Sequence, residues 1–239
     1  MTTSNPNSSP NAAAHFVPTL DNQPFAYALG KIVCVGRNYA AHAAELNNPL
    51  PTAPILFIKP ATAAVALENT FSIPQDRGAV HHETELAILI GAQLCNADEV
   101  SAAAAIAGIG IALDLTLRDV QDQLKKDGHP WERAKAFDGA YPVSNFVSPY
   151  TVDLQNLTVQ LWRNGQLQQD GNTSQMLFPI IALLCEISRS FTLLPGDIVS
   201  TGTPAGVGPL QAGDQLIAAL GSATPDDILR VTTQVGGAS

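Results

Sequence analysis

His81-His82-Glu83-Thr84-Glu85-Leu86-Ala87-Ile88-Leu89-Ile90-Gly91 joins an apolar strand signal to a pair of carboxylates at its start. Leu86 to Ile90 is continuous, branched and apolar, and Gly91 ends the run, which predicts a buried strand. Strand side chains alternate between faces, so Glu83 and Glu85 share a face, about 7 Å apart at Cα. Two carboxylates entering a core side by side repel each other and lose hydration, and they stay ionised only with a cation between them. Hard divalent ions such as Mg²⁺ take oxygen ligands of this kind. Alone, Glu-x-Glu reads more readily as a solvated strand end. Asp114 supplies the further carboxylate that the metal reading needs.

Asp114 closes Gly108-Ile-Gly-Ile-Ala-Leu-Asp114, which alternates cleanly. Ile109, Ile111 and Leu113 take one face. Gly110, Ala112 and Asp114 take the other, where small residues leave room for a strand to pass beneath a site. Upstream, the Ala-rich run from Ala102 is expected to begin as helix after a turn near Asn96-Ala97-Asp98.

Lys31 to Gly36 and Ile55 to Pro60 predict two further strands, the second carrying Lys59 at its end. Between them Ala40 to Leu46 reads as a short helix, in which His42 and Glu45 at i and i+3 can touch. A carboxylate beside a His orients the ring and raises its basicity, which suits a general base, although the same spacing also occurs in ordinary surface pairs. Thr116-Leu-Arg-Asp119 reads as a capping box with Asp in place of Glu. The helix that follows, ending at Asp127-Gly128, is expected to turn Arg118, Gln121 and Lys125 outward and Val120 and Leu124 inward. Lys135 lies in a loop-like segment and by itself reads as surface. Asn164-Gly165 between Leu157–Arg163 and Gln166–Gln169 marks a β-hairpin. Ser174 to Phe191 predicts one helix, kinked near Phe178-Pro179. Thr203 to Pro209 is Gly-rich but lacks the Lys-Ser/Thr of a phosphate loop; it reads as a turn whose amides could serve a small anion. Strands outnumber helices without a βαβ rhythm, so an α+β, sheet-dominated fold is expected.

The 239 residues are 46% apolar and 14% charged, enough for a substantial core. A net charge of −9 argues against nucleic acid or an anionic membrane surface as partner. Cys34, Cys95 and Cys185 form no Cys-x-x-Cys and suit a reducing compartment. The start of the chain shows neither a basic nor an apolar leader segment, so a cytoplasmic location is expected. Residues 1–14 are Asn/Ser/Pro/Ala-rich and are expected to be a disordered tail. Residues 15–239 are expected to form a single catalytic domain.

Six motifs stand in order: Val35-Gly-Arg-Asn-Tyr39 with His42-x-x-Glu45; His82-Glu83-x-Glu85; Asp114-x-x-x-Arg118-Asp119-x-Gln121; Trp131-x-x-x-Lys135; and Thr201-Gly-Thr-Pro204-x-Gly206-Val-Gly208. Each is weak alone. Together, over residues 28 to 232, they make the chain resemble the fumarylacetoacetate hydrolase family, in its short acylpyruvase and oxaloacetate decarboxylase branch. The resemblance implies a mixed β-sandwich roll, a homodimer, and Mg²⁺ or Mn²⁺ held by Glu83, Glu85 and Asp114. It implies that His42 and Glu45 sit on a lid and activate water, that Lys135 lies near the bound substrate, and that Arg37, Arg118, Gln121 and Thr203 line the site. The activity implied is hydrolysis of the C–C bond of acylpyruvates (2,4-dioxo acids such as acetylpyruvate or fumarylpyruvate), with oxaloacetate decarboxylation alongside. Two alternatives stand: an isomerase or decarboxylase of ring-cleavage products, of the 2-hydroxyhepta-2,4-diene-1,7-dioate isomerase type, and a non-catalytic 2-oxo acid binding protein. Keto–enol isomerisation needs only proton shuttling at the same site.

Overall fold

The computed structural model describes residues 16–149, 152–222 and 227–237. The expected tail, residues 1–14, lies outside them. The central element is a seven-stranded mixed sheet in the order Ile55–Pro60, Lys31–Gly36, Ile198–Ser200, Thr84–Ile90, Ile106–Leu113, Tyr141–Val143, Ala64–Ala66. Two pairings are parallel, Ile198–Ser200 with Lys31–Gly36 and Tyr141–Val143 with Ala64–Ala66; the others are antiparallel.

The two edge strands, Ile55–Pro60 and Ala64–Ala66, are separated in sequence only by the 3₁₀ turn Ala61–Ala63. Seven flat strands would be about 29 Å wide. The chain from Pro60 to Ala64 reaches at most about 14 Å. The sheet therefore curls until its edges approach, as the expected roll requires. Side-chain parity then sorts the core. Leu86, Ile88, Ile90, Ile109, Ile111 and Leu113 pack outward against Val159 and Leu161 of a five-stranded sheet and against helix Ile180–Ser190. Cys34, Ala87, Leu89, Ala112, Tyr141 and Phe146 form a second apolar cluster on the opposite face. Glu83, Glu85 and Asp114 share their parity with that second cluster.

A three-stranded sheet with Val80–His82 between Thr116-Leu117 and Gly208-Pro209 brings the start of helix Arg118–Asp127 and the Gly-rich segment beside Glu83. The predicted hairpin forms between Thr158–Arg163 and Gln166–Asn172; Asn164 (φ +52°) and Gly165 (φ +78°) both adopt the left-handed backbone that its turn demands. Glu99–Ala104 is helical, capped by Asp98, and leads into strand Ile106–Leu113.

Four expectations change. Thr116 does not cap a helix: it pairs in a strand with His81, and its hydroxyl donates to Asp114 O, so the helix begins at Arg118 without a side-chain cap. That helix also turns Arg118 and Gln121 inward, both buried, because their partners lie inside the site. The room opposite Gly108 and Gly110 is filled by Leu20 and Phe146, whose atoms lie 2.8 and 3.0 Å from where Cβ atoms would sit. Ser174 to Phe191 is not one kinked helix. Thr173–Gln175 is a 3₁₀ turn capped by Asn172, and the α-helix starts at Ile180 after Pro179, since proline is disfavoured inside a helix but tolerated at its start.

Candidate active site

Antiparallel register sets the carboxylates together. Glu85 pairs with Ala112, and the Asp114 N–H donates to Glu83 O at 2.8 Å. One oxygen from each of Glu83, Glu85 and Asp114 lies within 4.8 Å of the others, and all three residues are at most 5% exposed. Glu83 accepts from Arg118 Nη2 and from Lys135 Nζ (2.8 Å); Lys135 Nζ also donates to Asp114 Oδ2 (2.7 Å). Glu85 Oε2 accepts from Ser200 Oγ and from the Gly202 N–H (2.8 Å), with no cation among the described residues at hydrogen-bonding distance.

The charges follow from these partners. Burial works to raise the Glu83 carboxyl, but Lys135, Arg118 and His42 outweigh it and hold Glu83 well below the usual carboxylate range. Burial also works against the Lys135 ammonium, yet Asp114 and Glu83 keep it strongly protonated. Glu85 is pushed up to about 8, by burial first and then by the Asp114 charge. The trio by itself is therefore short of positive charge at Glu85. Asp114 Oδ1 lies 2.8 Å from Lys59 Nζ, an ion-pair contact without hydrogen-bond geometry, so a buried oxygen keeps a lone pair for ligation. Convergent, buried, all-oxygen donors fit a hard divalent ion, Mg²⁺ and Mn²⁺ alike.

His42 is buried, and its Nδ1 stands 3.3 Å from Glu45 Oε2. Glu45 in turn accepts the Gly206 N–H (3.1 Å to Oε1). The Gly-rich segment does bind an anion through an amide, and that anion is Glu45. Gly206 has φ +97°, and a Cβ there would fall 2.0 Å from Gln168 O, so the position requires glycine.

Nine of the ten residues singled out from the sequence line one narrow cavity: Arg37, His42, Glu83, Glu85, Asp114, Arg118, Gln121, Lys135 and Thr203. Glu45, the tenth, stands behind His42. Lys135, which in isolation reads as surface, is 3% exposed in the one-turn helix Glu132–Lys135.

Sequence reasoning missed two supports. Lys59 is fully buried; its Nζ donates to Lys135 O, Ala140 O (3.0 Å) and Leu115 O (3.3 Å) beside Asp114, fixing the backbone that carries both Asp114 and Lys135. Its parity with Phe57 in an apolar strand was the available signal. Gln169 is also fully buried. Its Oε1 accepts from His82 Nδ1 and the Thr84 N–H, both 3.0 Å, and its Nε2 donates to Thr203 Oγ1 (2.8 Å) and Pro204 O (2.9 Å). That pairing gives His82 Nδ1 the proton; burial drives the ring down to about 4, so it is neutral. Nothing local in the hairpin sequence marks Gln169.

The profile of the fumarylacetoacetate (FAA) hydrolase C-terminal family matches residues 31–235, and the chain belongs to this family. It is 53% identical over 192 residues to an oxaloacetate tautomerase of Escherichia coli, covering 80% of this chain and 88% of the relative. It is 43% identical over 190 residues to a mitochondrial oxaloacetate tautomerase of Bos taurus, covering 79% and 86%. Among solved structures, the fumarylpyruvate hydrolase of Pseudomonas aeruginosa in complex with Mn²⁺ and pyruvate is 31% identical, with a TM-score of 0.85 over 98% of this chain and 100% of that one.

Proposed function

We propose that the protein is a divalent-metal-dependent enzyme that interconverts the keto and enol forms of oxaloacetate, and that the same site hydrolyses acylpyruvates. The observation that carries the reading is His42. It is a buried imidazole on the wall of the carboxylate cavity, with Nδ1 turned to Glu45 and Glu45 tied to Gly206, which leaves Nε2 for a substrate proton. An ion held by Glu83, Glu85 and Asp114 supplies Lewis-acid polarisation of the 2-oxo group.

For tautomerisation, His42 Nε2 takes a proton from C3 of oxaloacetate as the C2–C3 double bond forms. The proton held by His42 then passes to the 2-oxygen, directly or through water, to give the enol, and the reverse steps restore the ketone. Lys135, held between Glu83 and Asp114, places its ammonium where negative charge develops. No C–C bond breaks and nothing is oxidised. The tautomerases of E. coli and Bos taurus support this reading.

Hydrolysis uses the same base differently. His42 takes a proton from water, the water oxygen adds to the C4 carbonyl of a 2,4-dioxo acid, the C3–C4 bond breaks with its electron pair left on C3, and C3 takes the proton back from His42 to give pyruvate and a carboxylic acid. The orientation of His42 by Glu45 favours it as an activator of water, and the Pseudomonas fumarylpyruvate hydrolase supports it. The reading carries with it a cytoplasmic homodimer, whose subunit number sedimentation would determine.

Following the ultraviolet absorbance of enol-oxaloacetate with protein and Mn²⁺ or Mg²⁺, beside pyruvate release from acetylpyruvate, tests both. Decay faster than with the ion alone, lost in Glu85→Ala, is expected. Decay no faster than with the ion alone would overturn the tautomerase reading.

A further inference from the structure

Arg118, Gln121 and Lys125 stand at i, i+3 and i+7 of helix Arg118–Asp127 and form one stripe facing the cavity. Arg118 is engaged by Glu83 and Gln121. Lys125 is not engaged in this way. Its Nζ lies 5.7 Å from the Trp131 ring centroid and 3.8 Å from Asp122 Oδ1, a long ion pair, and its side chain is 24% exposed. Arg37 lines the same cavity, half-buried, with no ion-pair partner among the described residues. Its backbone sits at φ +59°, a left-handed conformation that a long side chain seldom adopts and that aims residues at functional sites. Burial lowers the proton affinity of both groups, and at Lys125 the charges of Arg118 and Arg37 lower it further. Cations crowd this wall of the cavity; among the described residues the carboxylates that act on Lys125 are Asp122 and, already paired with Arg118, Glu83.

The charge balance shows what they await. With one divalent ion, the three carboxylates keep a single net negative charge, which the three cations Arg118, Lys135 and Lys59 already exceed. The carboxylate of a 2-oxo acid offsets part of that excess and leaves none of the trio's negative charge for other cations. Arg37 and Lys125 then remain in a half-buried wall where one more anion would be stabilised. We propose that Arg37 and Lys125 form the subsite for the distal carboxylate of the substrate, and that this subsite selects 2-oxo dicarboxylates over 2-oxo monocarboxylates. The inference rests on the proposed function only for where the 2-oxo acid end binds.

The test uses the full chain loaded with Mn²⁺ and two probes that have no C3 proton to exchange, difluoro-oxaloacetate and 3,3-difluoro-2-oxobutanoate. They differ by the distal carboxylate. Calorimetry should show the dicarboxylate binding about 10-fold or more tightly, the scale of a charge-assisted hydrogen bond. Lys125→Met and Arg37→Met should each remove most of that ratio while leaving affinity for the monocarboxylate unchanged. Lys126→Met is the control: Lys126 is exposed on the same helix and changes net charge equally. Equal binding of the two probes by the unmodified protein would overturn the subsite, and so would a Lys126→Met effect as large as that of Lys125→Met. A ratio that behaves as expected in a protein that fails to accelerate enol-oxaloacetate decay supports the subsite and removes only the tautomerase reading. Accelerated decay with an unaltered ratio in both variants does the reverse.

Discussion

Glu85→Gln isolates the electrostatic cost of the carboxylate trio, because the amide oxygen can still accept from Ser200 Oγ and the Gly202 N–H while the charge is gone. In the folded chain Glu85 is raised to about 8 against an ordinary 4.5. A raised carboxyl binds its proton more tightly in the native than in the unfolded state. Its contribution to stability is thus complete below about pH 4.5 and is lost as pH rises through 8. Three to four units correspond to at most about 5 kcal/mol, of which about 3 kcal/mol should disappear between pH 5 and pH 8. Denaturant unfolding of metal-stripped protein at several pH values should show the wild type losing stability over that range, while Glu85→Gln runs nearly flat and is the more stable protein at pH 8. Saturating Mn²⁺ should reverse the order, since binding to the native state adds stability that the variant forfeits. If metal-stripped Glu85→Gln follows the wild type at every pH, the carboxylates do not repel one another and the argument for a cation among them fails.

Lys59→Met should destabilise the protein by about 3 to 5 kcal/mol in denaturant unfolding, because it leaves the buried Asp114 carboxylate without one of its two cations; an unfolding midpoint within error of wild type would show that Lys59 is incidental. Gly206→Ala forces the loop off Gln168 and releases Glu45, so kcat should fall at least 10-fold while calorimetric Mn²⁺ affinity holds. Parallel loss of metal binding would mean that the loop supports the trio rather than His42. His42→Ala should lower hydrolysis and tautomerisation by on the order of 10² to 10⁴, whereas oxaloacetate decarboxylation, which relies chiefly on the ion, should survive better. Equal loss of all three with normal Mn²⁺ and oxalate binding would assign His42 to closure of the site instead of proton transfer.

Local alternation made much of the fold legible. Leu86 to Ile90, Ile109 to Leu113 and the Asn164-Gly165 hairpin carry their conformation in a few adjacent residues. The curl of the large sheet is different. It follows from the placing of Ile55–Pro60 beside Lys31–Gly36 and of Ala64–Ala66 beside Tyr141–Val143, at opposite edges, a long-range outcome that neither segment announces. The misplaced face of helix Arg118–Asp127 has the same origin. Polar residues at i, i+3 and i+7 define a stripe, but whether that stripe meets water or a buried carboxylate depends on Glu83, 35 residues away.

The candidate site divides along that line. Its negative half could be read directly, because strand parity alone puts Glu83 and Glu85 on one face and Asp114 at the end of a strand with small neighbours. Its positive half could not. Lys135 resembles an ordinary surface lysine in sequence and Lys59 shows no more than its parity with Phe57, and only the curled sheet shows them buried against Asp114. A buried carboxylate trio has to be neutralised, so the physical argument demands cations before it can say which residues supply them. The same reasoning continues outward. Once Arg118, Lys135 and Lys59 have been matched to Glu83 and Asp114, Arg37 and Lys125 remain as charges that the protein itself leaves largely unmatched, and the chemistry that completes them belongs to the substrate.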